Sequence, residues 1–324
     1  MDFKALFEGF NQKNVLIVGD AMIDAYMWGE VNRISPEAPV PVVEVKKHEN
    51  RLGGAANVAL NLKALGSNPI LCSVVGIGNR GRLFLKLMQE AELSTAGILA
   101  KTERKTTVKT RVIANNKHQL RIDEEEASPI IDSSEFLKLT ESLMGNIDVI
   151  ILQDYNKGVL TCEVIERVIK LANKKGISTI VDPKKQNFNS YKYCTIFKPN
   201  LAEIKAGINI DFNADNVSEI EKASTELRTL LNAKGVLLTL SERGICINSS
   251  DGFKHTPAFK RDIIDVSGAG DTVIAVASLC LASGIKYTDL SVLSTLAGGI
   301  VCEEVGVMPI NKEKLLSEAI KLIQ

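Results

Sequence analysis

The chain has 324 residues, 45% apolar and 24% charged, a globular composition that suits one large α/β domain or two smaller ones. Lys plus Arg number 39, as do Asp plus Glu, so the formal charge is zero. That argues against a general nucleic-acid binder, which carries a basic surplus, and leaves room for a local basic pocket for a small anion. Six cysteines, at 72, 162, 194, 246, 280 and 302, form no C-x-x-C pair, and there are only three histidines. A zinc site is therefore not expected, and free thiols in a reducing cytoplasm fit best. The first ten residues include acids and no long apolar core, so no signal peptide is expected. No run reaches about 18 apolar residues, so no membrane span is expected either.

In chain order, residues 15–18 read as a first strand and 55–65 as a helix with apolar residues at helical spacing. Strand 70–75, helix 83–91, strand 149–152, helix 162–172 and strand 178–181 follow. Then come 195–197, helix 220–231, strand 236–240, and helices near 269–283, 288–303 and 311–323. This alternation predicts a mostly parallel sheet covered by helices on both faces, with ligands at the carboxyl ends of the strands. Residues 22–48 and 104–123 break the rhythm and read as antiparallel strands without helices. The expectation is a small β-lid built from two insertions, with an apolar face for a second copy to cover, hence a homodimer.

The most telling segment is Asp265-Val266-Ser267-Gly268-Ala269-Gly270-Asp271-Thr272, followed by an unbroken, largely apolar run to Ala282. It reads as a turn opening into a buried helix. The first N–H groups of a helix lack internal partners, and glycines let that backbone approach an anion closely. A transferring phosphoryl group suits such a site, with Asp271 beside it to take a proton from an attacking hydroxyl. The plain alternative is a capped glycine-rich turn.

Other segments have similar double readings. Gly53-Gly54-Ala55-Ala56-Asn57 is either a close-approach turn with a hydroxyl-recognising amide or an ordinary loop-to-helix junction. Asp20 and Asp24 flank the end of the first strand, where carboxylates suit sugar hydroxyls, or are two solvated loop acids. Asn200 and Glu203 make a capping box, or Glu203 reaches toward a magnesium-bound phosphate. Thr239, Ser241, Glu242 and Gly244 follow a strand, as nucleotide-phosphate ligands or a tight turn. Gly76-Ile77-Gly78-Asn79-Arg80-Gly81 matches G-x-G-x-x-G, but no acid ends a following strand about 20 residues on, against a dinucleotide site. No P-loop motif occurs.

On the two motifs at 53–57 and 265–272, in that order and at that spacing, the chain resembles the ribokinase-like (PfkB) sugar kinases along nearly its whole length. The resemblance implies a three-layer α/β sandwich with a β-lid, ATP and magnesium, and a monovalent cation as a further candidate. It also implies Asp271 as base, the backbone of Gly268, Ala269 and Gly270 as anion hole, and no direct protein metal ligand beyond Glu203. Within the family, Arg33-Ile34-Ser35-Pro36-Glu37-Ala38-Pro39-Val40-Pro41-Val42 looks like the kinase part of the bacterial heptose-phosphate kinase/adenylyltransferases. So do Gln153-Asp154-Tyr155-Asn156-Lys157-Gly158 and Val181-Asp182-Pro183-Lys184.

This narrower resemblance implies phosphorylation of D-glycero-β-D-manno-heptose 7-phosphate at its anomeric hydroxyl, on the way to the ADP-heptose of lipopolysaccharide; the alternatives are a family kinase for another acceptor (fructose, ribose or a sugar acid) and a sugar- or nucleotide-binding regulator without turnover. A heptose phosphate needs cations as well as hydroxyl-binding groups. Arg33, Lys109, Arg111, Arg121 and Lys157 are the candidates, with Asp154 joining Asp20, Asp24, Gly53, Gly54 and Asn57 around the sugar. Gly78 stands where the family usually has an acid, and Thr295 where an Asn near the adenine is common. No H-x-G-H signature occurs and the chain ends at Gln324. The expectation is a single kinase domain over 1–324 without an adenylyltransferase, its partners a sugar phosphate, ATP and a second copy, with neither nucleic acid nor membrane.

Overall fold

The computed structural model describes residues 1–115 and 117–323. A nine-stranded sheet forms the centre. Its parallel strands run, in spatial order, Gly235–Thr239, Ile196–Phe197, Ser178–Asp182, Val149–Gln153, Asn14–Gly19, Asn68–Gly76 and Ile98–Lys101. An antiparallel hairpin, Ile245–Ser249 and Gly252–Thr256, extends the first of these edges. Strand alternation splits the core in two. Val15, Ile17 and Ile151 face one side, while Leu16, Val18, Ile150 and Leu152 face the other. Such near-continuous apolar strands are what a sheet covered on both faces requires.

Helices Ala55–Ala64, Asn79–Glu90, Ala269–Ala282, Tyr287–Val301 and Lys312–Ile323 cover the first side, and Ser133–Ser142, Cys162–Lys175, Leu201–Ile208 and Val217–Leu231 the second. Helix Ala269–Ala282 is buried on every side from Asp271 to Cys280, which explains why its sequence is apolar all round rather than amphipathic. Each fully buried Leu or Ile there contributes about 1.5–3 kcal/mol, so this helix is among the most firmly held in the molecule.

The lid is a four-stranded sheet ordered Pro41–Gly54, Ala21–Ile34, Thr107–Ala114, Lys117–Glu124. Its two segments coincide with the expected insertions, with one correction. Ala21–Ile34 and Thr107–Ala114 pair in parallel, and only the outer pairings are antiparallel. The reason is connectivity. The second insertion re-enters from the main sheet beside the first strand of the lid, so both strands leave the main sheet in the same direction.

Phe3–Phe10, Ser133–Ser142, Ile98–Lys101 and the 245–256 hairpin are elements beyond those the spacing predicts, and of Leu201–Ile208 the sequence shows only the cap. The G-x-G-x-x-G segment does form a strand-to-helix turn, but its glycines meet protein. A Cβ on Gly81 would run into the carbonyl oxygen of Gly76, and one on Gly76 into that of Arg104. The Gly76 N–H donates to Thr106 Oγ1 at 2.9 Å. These glycines serve helix–strand packing and the stalk of the lid.

Candidate active site

Five parallel strands end in one crevice, at Thr239, Phe197, Asp182, Gln153 and Gly19. The N-terminus of helix Ala269–Ala282 enters it from one side. Gly268 caps that helix at φ 82°, in the left-handed region a side chain disfavours. By helix geometry the N–H groups of Gly270 and Asp271 have no intrahelical acceptor; of the expected anion hole over 268–270, Ala269 is excepted, because its N–H donates to the Val266 carbonyl at 3.3 Å. A cation stands beside them: a Cβ built on Gly270 would lie 3.9 Å from Lys198 Nζ. Lys198 is buried and paired with Asp182 at 2.9 Å. Anion-seeking backbone and an ammonium group thus share one wall.

Asp271, 7% exposed, lies in the first turn of that helix. Its Oδ2 accepts from Asn57 Nδ2 at 2.7 Å. Its Oδ1 accepts from the Tyr155 hydroxyl at 2.6 Å and from Gln153 Nε2 at 3.2 Å. Burial pushes the carboxyl up to about 6, against the opposing pull of the Tyr155 and Asn57 hydrogen bonds; Asp182 raises it further and Lys198 lowers it. A carboxylate near 6 is a base poised close to neutral pH. The amide oxygens of Asn57 and Gln153 are buried and have no hydrogen-bond partner among the described residues. Unpaired buried acceptors are costly, and here they line the base, where a ligand's hydroxyl protons would satisfy them.

Asn57 is held by its own helix. Asn61, one turn on, donates to the Asn57 carbonyl at 3.0 Å and accepts from Thr272 Oγ1 at 2.9 Å, stapling helix Ala55–Ala64 to the base helix. Gly53 and Gly54 end the lid strand before it, and a Cβ on Gly53 would run into the Asp24 carboxylate. Asp24 is buried and pairs with Arg111, whose guanidinium lies over the Tyr26 ring.

Lys109 is in register with Asp24 and therefore points to the same face of the lid as Arg111. It has no ion-pair partner among the described residues. Burial, and then the like charge of Lys157, hold its ammonium below the usual lysine range. Lys157 itself pairs with Glu125 at 2.8 Å. Lys157, two residues beyond Tyr155, thus adds a second cation near Lys109, with the carboxylates of Asp123 and Glu125 acting on Lys109 in the opposite sense.

Several expected ligands are placed otherwise. Asp20 does not face the crevice. Its carboxylate accepts the N–H groups of Tyr155, Lys157 and Val159 at 2.9, 3.0 and 3.0 Å, and so shapes the loop that carries Tyr155. Asp154 is likewise internal, accepting from Tyr191 OH and the Asn156 N–H at 2.7 Å each. Burial and the nearby Asp20 charge raise its carboxyl. Arg33 is exposed beside Val42 at the far end of the lid, nine residues beyond Asp24. At roughly 3.3 Å per residue that is about 30 Å away. Arg121 is exposed and chelates Asp123.

On the other flank, Asn200 and Glu203 form the expected capping box, and Glu203 also pairs with Lys184 at 2.6 Å. Thr239 bridges to Asn200, and Ser241–Arg243 with Gly244 form a tight turn after the strand. Glu242 pairs there with Arg243. Thr295 is buried with its hydroxyl turned back to the Ser291 carbonyl at 2.8 Å. Among the described residues no cluster of three or more His, Cys, Asp or Glu is placed to hold a metal, and no helix is long and apolar enough to cross a membrane. This donor set fits a magnesium ion carried largely by a nucleotide's own phosphates, and Glu203, on that flank, is a carboxylate that would face it.

The profile described as pfkB family carbohydrate kinase matches residues 12–314. The chain belongs to that family. It is accordingly a phosphotransferase with an alcohol acceptor, and the family implies ATP and magnesium. The "Bifunctional protein HldE" of Citrifermentans bemidjiense is 38% identical over 322 residues, 98% of this chain and 65% of that protein. That of Helicobacter pylori strain HPAG1 is 37% identical over 296 residues, 91% of this chain and 64% of that protein. The chain thus spans somewhat less than two thirds of the length of these curated relatives.

The ribokinase-like fold is shared with solved structures at low identity. Phosphofructokinase-2 from Escherichia coli in complex with potassium superposes with TM-score 0.78 and 18% identity, over 96% of this chain and 99% of that one. Arabidopsis thaliana ribokinase complexed with ribose and ATP gives 0.74 and 18%, over 94% and 98%.

Gln153, Tyr155, Asp182, Lys198 and Asn61 belong to the site and were given no role from sequence. For three of them the signal is position, since Gln153 and Asp182 close parallel strands and Lys198 follows one; Asn61, inside helix Ala55–Ala64, carries no such signal.

Proposed function

We propose that this PfkB-family kinase uses MgATP to phosphorylate the anomeric hydroxyl of D-glycero-β-D-manno-heptose 7-phosphate, giving the 1,7-bisphosphate. The observation that carries the reading is the likeness, along nearly the whole of this chain, to about two thirds of an HldE protein, 38% identity over 98% of the chain and 65% of that protein. The geometry supports the substrate class. Asp271 receives the acceptor's proton, the helix N-terminus with Lys198 stabilises the transferring group, and the Lys109–Lys157 pair seats the phosphate the sugar already carries. The flank of Asn200, Glu203, Thr239, Ser241, Gly244 and Thr295 takes the nucleotide. When bound, magnesium neutralises charge on the phosphates.

On this reading the chain acts as one cytoplasmic kinase domain, its six thiols free. A second copy covers the lid, where Ile34, Val40, Val45, Leu120 and Ile122 are exposed. Sedimentation of the protein and of a Leu120→Glu, Ile122→Glu variant tests the pairing, and a monomeric parent protein would remove it.

The test of function is turnover on a panel: the heptose 7-phosphate, the same heptose without phosphate, fructose 6-phosphate and ribose. Preference for the heptose 7-phosphate supports the reading. Preference for an unphosphorylated sugar removes the role given to Lys109 and Lys157 and the substrate with it.

A further inference from the structure

Asp271 has about four lone-pair directions for hydrogen bonds. Two donors, Tyr155 OH and Gln153 Nε2, occupy Oδ1, and one, Asn57 Nδ2, occupies Oδ2. The spare capacity is on Oδ2. Tyr155 is the shortest of the three contacts, and much of the surrounding structure exists to hold it there. The main chain around it is bent by Asn156 at φ 56° and Gly158 at φ 87°. Asp20 receives three N–H groups from residues 155–159, and Arg104 donates to the Lys157 carbonyl. A loop so heavily tied down presents its one hydroxyl to the base.

We propose that Tyr155 is the positioning residue of the catalytic base, holding Oδ1 of Asp271 so that Oδ2 takes the acceptor's proton. In the step itself the acceptor hydroxyl proton passes to Oδ2. The hydroxyl oxygen forms its bond to the terminal phosphorus of ATP as the bond from that phosphorus to the bridging oxygen breaks, and ADP leaves with that electron pair. The inference rests on Asp271 being the base. Tyr155 also stabilises the ionised carboxylate, opposing the burial that raises it. The other groups facing Asp271 are Asn57 and Gln153, both neutral, and the Asp182–Lys198 pair; Lys184 Nζ lies over the Tyr155 ring, 6.0 Å from its centroid. None of these changes in a Tyr155→Phe variant.

The experiment is the pH profile of kcat/KM for the parent, Tyr155→Phe and Asp271→Asn enzymes, with a carbon-13 carboxyl titration of Asp271 in the first two. Loss of the donor moves the acid limb and the titration upward by about one unit. Turnover then falls about five-fold at pH 6 and returns toward the parent value above pH 8. Replacing Tyr155 by 3-fluorotyrosine, a stronger donor of the same shape, moves both readouts downward. A Tyr155→Phe loss that is equal at every pH, or an unmoved carboxyl titration, overturns the proposal. Full turnover by Asp271→Asn instead removes the base reading, while the titration still reports separately whether Tyr155 tunes that carboxyl.

Discussion

Replacing Asp271 with Asn separates catalysis from stability. The carboxyl rises from 3.8 to about 6 on folding. That shift of about 2.2 units, at about 1.36 kcal/mol each, means that ionised Asp271 costs the folded state about 3 kcal/mol. A folded-state value above the unfolded one gives a contribution present below pH 3.8 and lost as pH rises through 6. The parent protein therefore bears the whole cost at pH 8 and almost none at pH 4. Asn has the same shape, keeps an acceptor for Tyr155 and never ionises. The Asn57 amide can turn its unpartnered oxygen toward the new amide. The variant should be more stable than the parent by about 3 kcal/mol at pH 8, with the difference shrinking toward zero by pH 4. Urea unfolding of both proteins at pH 4, 6 and 8 measures this. A variant less stable at pH 8, or a difference independent of pH, would refute the claim that burial strains this carboxylate.

Three further outcomes are expected. Lys109→Met and Lys157→Met should each raise KM for a phosphorylated acceptor about 10- to 100-fold, the worth of one charge-assisted hydrogen bond, and leave KM for ATP unchanged; steady-state kinetics with each substrate varied reads this. Asp20→Ala leaves three N–H groups of the 155–159 loop without their acceptor, so urea unfolding should show a loss of about 3 kcal/mol or more together with lost turnover. An active, stable Asp20→Ala protein would contradict the loop-shaping role. Gly81→Ala, forced against the Gly76 carbonyl, should yield little folded protein on expression, whereas Gly78→Ala, in open space, should express normally.

Much of this molecule was legible before the fold. The lid was visible because residues 22–48 and 104–123 alternate without helical spacing, and the base helix because an apolar run follows glycines and an acid. What sequence spacing hides is which side chains meet. Tyr155 and Gln153 reach Asp271 across separations of 116 and 118 residues; the strand end at Gln153 marks the crevice but not which side chain it meets there. Asp20 turns inward for a reason that spacing does not show, whereas the expectation for Asp154 rests on the family resemblance alone. A strand-end carboxylate in an α/β sheet either faces the ligand or ties down the next loop, and only the backbone of 155–159 decides between them. Arg33 misled because the first lid strand runs fourteen residues, carrying its tip away from the crevice. Helix Ser133–Ser142 was overlooked because only Ser133, Phe136 and Thr140 of it are buried, too few apolar residues to declare a period.

The most direct test of the account is single-turnover phosphorylation of D-glycero-β-D-manno-heptose 7-phosphate by the parent and Asp271→Asn proteins with MgATP, followed by phosphorus NMR. The account predicts a new anomeric phosphate signal with the parent protein and a rate lower by about three decades or more with the variant, each decade being about 1.4 kcal/mol of barrier. Equal rates in the two proteins, or no anomeric product from the parent protein, would contradict it.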